Sequence, residues 1–148
     1  MYRYFNGEQW INSKRYESML KGKELFLRFF NADCERIAIE NPTPMKICRL
    51  PKETQVIQPY EYGHPYSKRT LLWLKGLPPL TATKVMAEHK PYVCSNTSMF
   101  AKGAGGSKGA PEAKDAKGRS KTFQGIAEAM AEQWGNGNTP YPEQIRIF

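Results

Sequence analysis

The sequence contains few cysteines. It has three, Cys34, Cys48 and Cys94, among 148 residues. An odd number leaves no complete disulfide framework, and no two of them stand at the short spacing that paired zinc ligands use. The sequence therefore predicts neither a disulfide scaffold nor a metal site, and a reducing cytoplasm is the expected compartment.

Long apolar runs are also missing. A helix that crosses a membrane needs about 20 consecutive apolar residues, and no stretch of the sequence approaches that length. The amino terminus does not have the charged and then apolar order of a secretion signal. We therefore expect neither a membrane span nor secretion.

Common catalytic and nucleotide-binding motifs are absent as well. The glycines at 103–109 lie in a low-complexity stretch rather than between a strand and a helix, so they do not match a dinucleotide fingerprint. No Ser/His/Asp arrangement is visible. His64 and His89 have no acidic or cysteine partner at a recognisable spacing, which favours hydrogen-bonded surface roles for both.

One stretch has almost no capacity to form a core. Residues 101–121 contain no aromatic, β-branched or large aliphatic side chain, so we predict a flexible basic loop at 101–120. A polar tail at 136–148 follows a second packing segment. Residues 1–100 and 121–135 are predicted to form a single α/β domain.

The charge is strongly of one sign. A formal net charge of +8 favours an anionic partner such as nucleic acid. A solvated tether is the other interpretation, because several of the basic residues lie in the predicted loop. They are Lys102, Lys108, Lys114, Lys117, Arg119 and Lys121.

Four segments have a clear periodicity. Apolar residues at helical spacing predict amphipathic helices over 13–30 and about 123–134, the second ended by Gly135. The runs 55–58 and 69–74 are β-compatible. The residues between these two runs are too few for a crossover helix, so an antiparallel hairpin is expected.

The segment Arg36–Pro42, RIAIENP, carries the most chemistry. Apolar residues on both faces favour a parallel strand covered by helices on each side, and Pro42 prevents a helix from continuing at Asn41. Glu40 then lies at the carboxyl end of a strand, where open α/β sheets bind ligands. Two interpretations stay open: Glu40 binds a ligand, or it caps a neighbouring helix or pairs with a lysine.

Three segments in this order resemble a known family: RIAIENP at 36–42, QPYEYGHPYSKRTLLWLKGLPPL at 58–80 and SKTFQGIAEAMAEQWG at 120–135. Together they resemble the carboxyl-terminal part of phage and prophage proteins related to cytosine-5 DNA methyltransferases. The resemblance implies an α/β fold, namely a truncated Rossmann-like methyltransferase half-sheet with an antiparallel hairpin and flanking helices. In that superfamily a Glu-Asn pair at a strand end holds the flipped cytosine, and Glu40 and Asn41 match it by position.

The other two segments match less completely. The family has a Gly-x-Pro-Gln-x-Arg stretch before an antiparallel strand, and Gly63–Arg69 stands in its place with Tyr66 instead of the glutamine. That replacement leaves the family's target-strand contacts open. The last segment resembles the closing part of the family, which packs beside the cofactor site, with Gln124, Gly125 and Ala127 in the matching stretch.

Two family motifs are missing. The sequence has no Asp-x-Phe-x-Gly-x-Gly-Gly turn for S-adenosylmethionine, and none of its cysteines follows a proline as the nucleophile of the family does. Without a thiolate the cytosine ring is not activated, and without the first βαβ half the methyl donor has no pocket. We therefore predict no catalytic residue and no cofactor.

The resemblance implies a methyltransferase-like binding protein without catalytic activity of its own, acting in the cytoplasm of a host cell. We expect it to bind nucleic acid or a nucleic-acid-handling host complex. Lys68 and Arg69, with the loop lysines, are expected to contact phosphate, and Glu40 with Asn41 to hold a base.

Two other functions stay open. In the first alternative, the chain is a phage-encoded protein inhibitor of a host defence system and docks by strand addition. In the second, it is one half of a split cytosine-5 DNA methyltransferase. Loss of the first half of the sheet would also leave the Glu40 strand with an unpaired edge. A second copy of the chain, a separately encoded partner, or the aromatic residues within 2–11 are the candidates to cover it.

Overall fold

A computed structural model describes residues 3–5, 10–93, 110–113 and 116–135 of the chain. The protein is mixed α/β, as the sequence predicts. Its backbone contacts group into two compact units. Unit 1 contains the described residues up to Val56 together with Leu71–Leu77, and unit 2 contains Ile57–Thr70 and the described residues from Pro78 onward.

The elements are short apart from two helices. The strands are β1 (Arg3–Phe5), β2 (Trp10–Asn12), β3 (Ile37–Pro42), β4 (Gln55–Ile57), β5 (Tyr66–Ser67), β6 (Thr70–Lys75) and β7 (Lys90–Pro91). The helices are α1 (Ser13–Phe30), α2 (Ala116–Ser120) and α3 (Gln124–Gly135). Turns of 3₁₀ helix occupy Lys46–Cys48, Pro59–Glu61 and Pro111–Ala113.

The main sheet has three strands in the order β3-β6-β4 and is antiparallel. The predicted pairing of the strands that begin near 55 and 69 is confirmed, because β4 and β6 are neighbours. The strand predicted at 36–42 is present as β3, but its predicted parallel pairing is wrong. Ile37 and Ile39 are half-buried while Ala38 and Glu40 are exposed, which is the alternation of a strand with one solvated face.

Helix α1 has the bounds that the apolar spacing predicts. Its Phe26 packs edge-on against Trp73 of β6, with ring centroids 5.0 Å apart. The indole N–H of Trp73 donates to the carbonyl of Pro51 at 2.9 Å, so the buried ring leaves no unsatisfied donor. Five further side chains complete this core: Leu71, which is buried, and the partly buried Leu27, Phe30, Ile39 and Leu50.

Two local features hold β6 in place. The Thr54 N–H donates to the carbonyl of Leu72 at 2.8 Å, and the Thr54 hydroxyl accepts from the N–H of Leu74 at 3.0 Å. After β6, Gly76 has a φ of +61° and lies against the carbonyl of Glu35 so closely that a Cβ would collide with it. Only glycine satisfies both the left-handed backbone and the close approach.

The first two strands pair with each other. β1 and β2 form an antiparallel two-stranded sheet with Tyr4 opposite Ile11. In the described part of the chain this sheet is separate from the three-stranded one, in which β3 lies at an edge. The expected covering of the Glu40 strand by the amino-terminal residues is therefore not seen as strand pairing.

Unit 2 is built around α3, which the sequence places within one residue at each end. Gly135 is its last residue and does not have the positive φ expected of a left-handed terminator. Within the stretch predicted as a flexible loop, 111–113 and 116–120 are helical and Ala110 is buried. Residues 101–109 and the tail 136–148 lie outside the described residues, and the loop prediction for 101–109 stays a prediction.

The helices of the described ranges do not meet the requirements of a membrane span. Within the ranges described, none of the helices has both the length and the apolar character that crossing a bilayer requires.

Candidate functional site

Glu40 and Asn41 lie near the end of β3 in unit 1. The side chain of Glu40 is exposed, and Asn41 is half-buried. Glu40 stands on the face of β3 opposite Ile39, whose side chain packs on the core. The antiparallel sheet removes the argument that β3 ends at the ligand-binding edge of a parallel sheet. A role of both residues in holding a base stays a prediction.

Lys68 and Arg69 belong to unit 2, so the sequence-predicted site residues divide between the two units. Arg69 is exposed. The Lys68 ammonium donates to the carbonyl of Arg119 at 2.8 Å and to that of Lys121 at 3.4 Å. Two of the three N–H donors of this ammonium group thus bind carbonyls at the end of α2. Contact of Lys68 with phosphate stays a prediction beside this structural role.

Strands β5 and β7 place tyrosines opposite lysines. The two strands are parallel, with Tyr66 opposite Lys90, and the Lys90 ammonium lies 5.7 Å from the centroid of the Tyr66 ring. The N–H of Tyr92 continues the ladder by donating to the carbonyl of Ser67 at 2.9 Å. One step further the register matches Lys68 with Tyr92, whose centroid is 5.8 Å from the Lys68 ammonium. Both pairs are within the range of cation–π attraction.

The residue before α3 joins these tyrosines in an aromatic cluster, which we define as His64, Tyr66, Tyr92 and Phe123. The Phe123 ring lies 4.8 Å from Tyr92 and 5.0 Å from His64, with interplanar angles of 71° and 59°. The Tyr92 contact is the edge-to-face arrangement that aromatic quadrupoles prefer, and the His64 contact is tilted. The buried Tyr92 also donates its hydroxyl proton to the carbonyl of Gly118 at 3.0 Å, which fixes its ring.

The first turn of α3 is anchored by backbone contacts. The N–H of Gly125 donates to Nε2 of His64 at 2.9 Å, so an imidazole satisfies one of the donors that a helix start leaves unpaired. This geometry requires an unprotonated Nε2. On its other side Gly125 meets the carbonyl of Tyr62 so closely that an added Cβ would collide with the oxygen. His64 and Gly125 together fix where α3 begins.

Tyr62 forms part of the support under this helix. Its ring is buried, and its hydroxyl donates to the carbonyl of Leu80 at 3.3 Å. Burial, and then the negative charge of Glu61, raise the pKa of Tyr62 to about 12. The phenol therefore stays protonated near neutral pH and acts as a hydrogen-bond donor rather than a base.

A cleft of about 240 Å³ opens beside the aromatic cluster. It is lined by the four cluster residues together with Lys121, Thr122 and Gln124. Its walls thus combine aromatic rings with one cation and two neutral hydrogen-bonding side chains. Among the described residues that line the cleft, none carries a carboxylate. The aromatic walls of such a site suit a planar ligand that stacks on them, and Lys121 suits an anionic group beside it.

The described ranges contain no metal-binding site. They contain no group of three or more His, Cys, Asp or Glu side chains placed to hold a metal ion. Cys34 and Cys48 are free thiols there, whereas Cys94 lies outside the described residues.

Sequence reasoning missed the cleft, although a weak signal was present. Six aromatic residues of the sequence stand two positions from a lysine, and three of these pairs belong to the cleft region, as Tyr66-Ser67-Lys68, Lys90-Pro91-Tyr92 and Lys121-Thr122-Phe123. In extended chain, residues two positions apart share a face. The repeated spacing indicates aromatic and basic side chains on common surfaces, and it could have directed attention to unit 2.

Comparison with known proteins gives no match. The chain matches no family model, no curated protein and no solved structure.

Proposed function

We propose that this protein binds nucleic acid and has no catalytic activity of its own. The observation that carries the proposal is the cleft of unit 2, where aromatic rings and a lysine lie together and no described lining residue is acidic. Bases stack on aromatic side chains, and lysines neutralise phosphate. The net charge of +8 also favours nucleic acid, because a positively charged protein attracts an anionic strand over long distances.

The finer classification of the scaffold belongs to this proposal. We suggest a truncated Rossmann-like methyltransferase half-sheet, related to the phage proteins that the three sequence segments resemble. Support comes from the order of the segments and from two of their elements: the middle segment includes β6, and the last one forms α3. The antiparallel arrangement of β3 limits this support to the later part of the family's fold.

Salt dependence is the direct test of nucleic-acid binding. Fluorescence anisotropy with a labelled oligonucleotide should give an affinity that falls as salt is added, because each neutralised phosphate releases a counterion. The logarithm of the binding constant should be linear in the logarithm of the salt concentration. A binding constant that is unchanged between low and moderate salt would reject nucleic acid as the main partner.

The absence of catalysis needs its own measurement. We expect no transfer of a labelled methyl group from S-adenosylmethionine to cytosine, and no heat when S-adenosylmethionine is titrated into the protein. Methyl transfer by the isolated chain would contradict the proposal, because no thiolate next to a proline is present to activate the ring.

A protein partner is the second candidate, and one observation favours it. On α1, Leu25 and Phe29 stand four residues apart on one helix face and are 53% and 58% exposed. Apolar side chains paired in this way mark many protein-protein surfaces. A stoichiometric host protein that co-purifies after nuclease treatment, and that Leu25→Glu with Phe29→Glu removes, would establish an inhibitor in place of a nucleic-acid binder.

A further inference from the structure

We infer that the cleft of unit 2 holds a single unpaired nucleobase, so that the preferred ligand is a single strand and not a duplex. This inference rests on the proposed function, which it makes specific. It assigns stacking to Tyr66 and Phe123 and phosphate contact to Lys121, a residue that lines the cleft beside them.

The size of the cleft suits a ligand with one ring system. Its volume is about 240 Å³. Sites for larger organic ligands occupy about 300–1,000 Å³. The cleft is thus at the small end of organic ligand sites, as a site for one nucleobase would be.

The rings are held in place before a ligand arrives. Phe123 lies between His64 and Tyr92, with a tilted ring contact at 5.0 Å to His64 and an edge-to-face contact at 4.8 Å to Tyr92. Tyr66 lies 5.3 Å from Tyr92 at an angle of 67°. Phe123 and Tyr66 are nevertheless half-buried, so part of each ring remains open to the cleft. Fixed rings lose little conformational freedom when a base stacks on them.

The surrounding charge suits the sugar-phosphate chain. The segment 116–123, AKGRSKTF, contains three basic residues and no acidic one. Lys121 lines the cleft, and the Lys68 ammonium lies 5.8 Å from the centroids of Phe123 and Tyr92. A phosphate that follows a bound base would thus enter a positive field.

Gln124 and Thr122 offer neutral hydrogen-bonding groups at the same place. The Gln124 amide donates to a carboxylate oxygen of Glu128 at 2.9 Å, which orients the side chain along α3. Its carbonyl oxygen is an acceptor of the kind that reads the edge of a base. In a duplex that edge is paired and the ring is stacked, so only an unpaired base can reach the cleft.

The test compares two probes by fluorescence anisotropy: a short single strand, and a blunt-ended duplex of that strand with its complement. We expect the single strand to bind about tenfold more tightly than the duplex, because stacking of one base contributes about one factor of ten. Equal affinity for the single strand and the duplex would overturn the inference.

Variants locate the contact. Phe123→Leu and Tyr66→Leu should each weaken single-strand binding about tenfold and leave the salt slope unchanged. Lys121→Gln should reduce the magnitude of that slope by about 0.7, the contribution of one phosphate on a single strand. Tyr60→Leu, which removes a ring stacked on His89 outside the cleft, and Lys52→Gln, an exposed lysine of unit 1, are the matched controls.

A second measurement guards against misfolding of the variants. A strand with a fluorescent adenine analogue should lose emission when the wild-type protein binds, because the analogue stacks on the cluster; unchanged emission on binding would contradict the inference. If no oligonucleotide binds at all, the proposed function fails. If oligonucleotides bind with a normal salt slope and the two ring variants bind like wild type, only the cleft assignment fails.

Discussion

The two units pack their aromatic side chains against different neighbours. In unit 1, Phe26 and Trp73 pack among aliphatic residues and close the core. In unit 2, the aromatic cluster includes the imidazole of His64, contacts Lys68 and Lys90, and has a cleft of about 240 Å³ at its side. This is a division of labour in which the aromatic rings of unit 1 close a core, whereas those of unit 2 also line the surface that we propose for a ligand.

Truncation of a tryptophan in each unit tests this division most strongly. Trp73 is 2% exposed, whereas Trp134 is half-buried, and each donates its indole N–H to a proline carbonyl. Trp73→Ala should lower the free energy of unfolding by about 4 kcal/mol, and Trp134→Ala by about 2 kcal/mol. Urea denaturation measures both, and equal losses would break the comparison.

Glycine-to-alanine substitutions should have opposite signs in the two units. Gly125→Ala should cost about 3 kcal/mol, because the added methyl group collides with the carbonyl of Tyr62 and displaces the start of α3. Gly22→Ala in α1 meets no atom within 4 Å and should add about 0.5–1 kcal/mol through helix propensity. Thermal unfolding of both variants checks the signs, and a stabilised Gly125→Ala would show that α3 is not held as described.

Alkaline pH should weaken unit 2 through Tyr62. Its pKa is raised from 10.0 to about 12 by burial, so the unfolded chain releases this proton at lower pH than the folded chain does. The contribution is complete below pH 10, and between pH 10 and 12 the free energy of unfolding should fall by about 1.4 kcal/mol per unit. In Tyr62→Phe this part of the pH dependence should be absent when unfolding is followed across that window.

Lysine-to-methionine substitutions should give the smallest effects. In unit 1 the Lys75 ammonium donates to the carbonyl of Ala32 just after α1, at 3.0 Å, and in unit 2 Lys68 donates to two carbonyls at the end of α2. These bonds are exposed, so each substitution should cost only about 1 kcal/mol. The Lys68 variant should cost more, because two carbonyls lose their donor. Denaturant midpoints of the two variants give the comparison directly.

The sequence predicts the longer elements well. α1 carries an apolar stripe over several turns, and the residue types of β4 and β6 agree with their proline and glycine ends, so local signals suffice. β3 is predicted with the wrong partner geometry because of Ala38, which is small enough for either face. An alanine between two isoleucines imitates a run that is buried on both sides, although it is exposed here.

Local signals do not locate the cleft, because the aromatic-lysine spacing recurs elsewhere in the sequence. β5 and β7 have only two residues each, too few for a periodicity, and their parallel register alone brings Tyr66 and Tyr92 together. Phe123 joins them because Gly125 admits the carbonyl of Tyr62 at the start of α3. The resemblance to methyltransferases directed attention to Glu40 and Asn41, whose role in binding stays a prediction.

The interleaving of the two units along the chain affects how the protein is made. Unit 1 receives its central strand from residues 71–77, after the first part of unit 2, 57–70, has already been synthesised. During synthesis on the ribosome, the early residues of unit 1 therefore cannot complete their core, and Phe26 stays exposed, until β6 leaves the ribosome. A nascent chain stalled before residue 71 should be a target for chaperones, since domains fold only once their segments are all present.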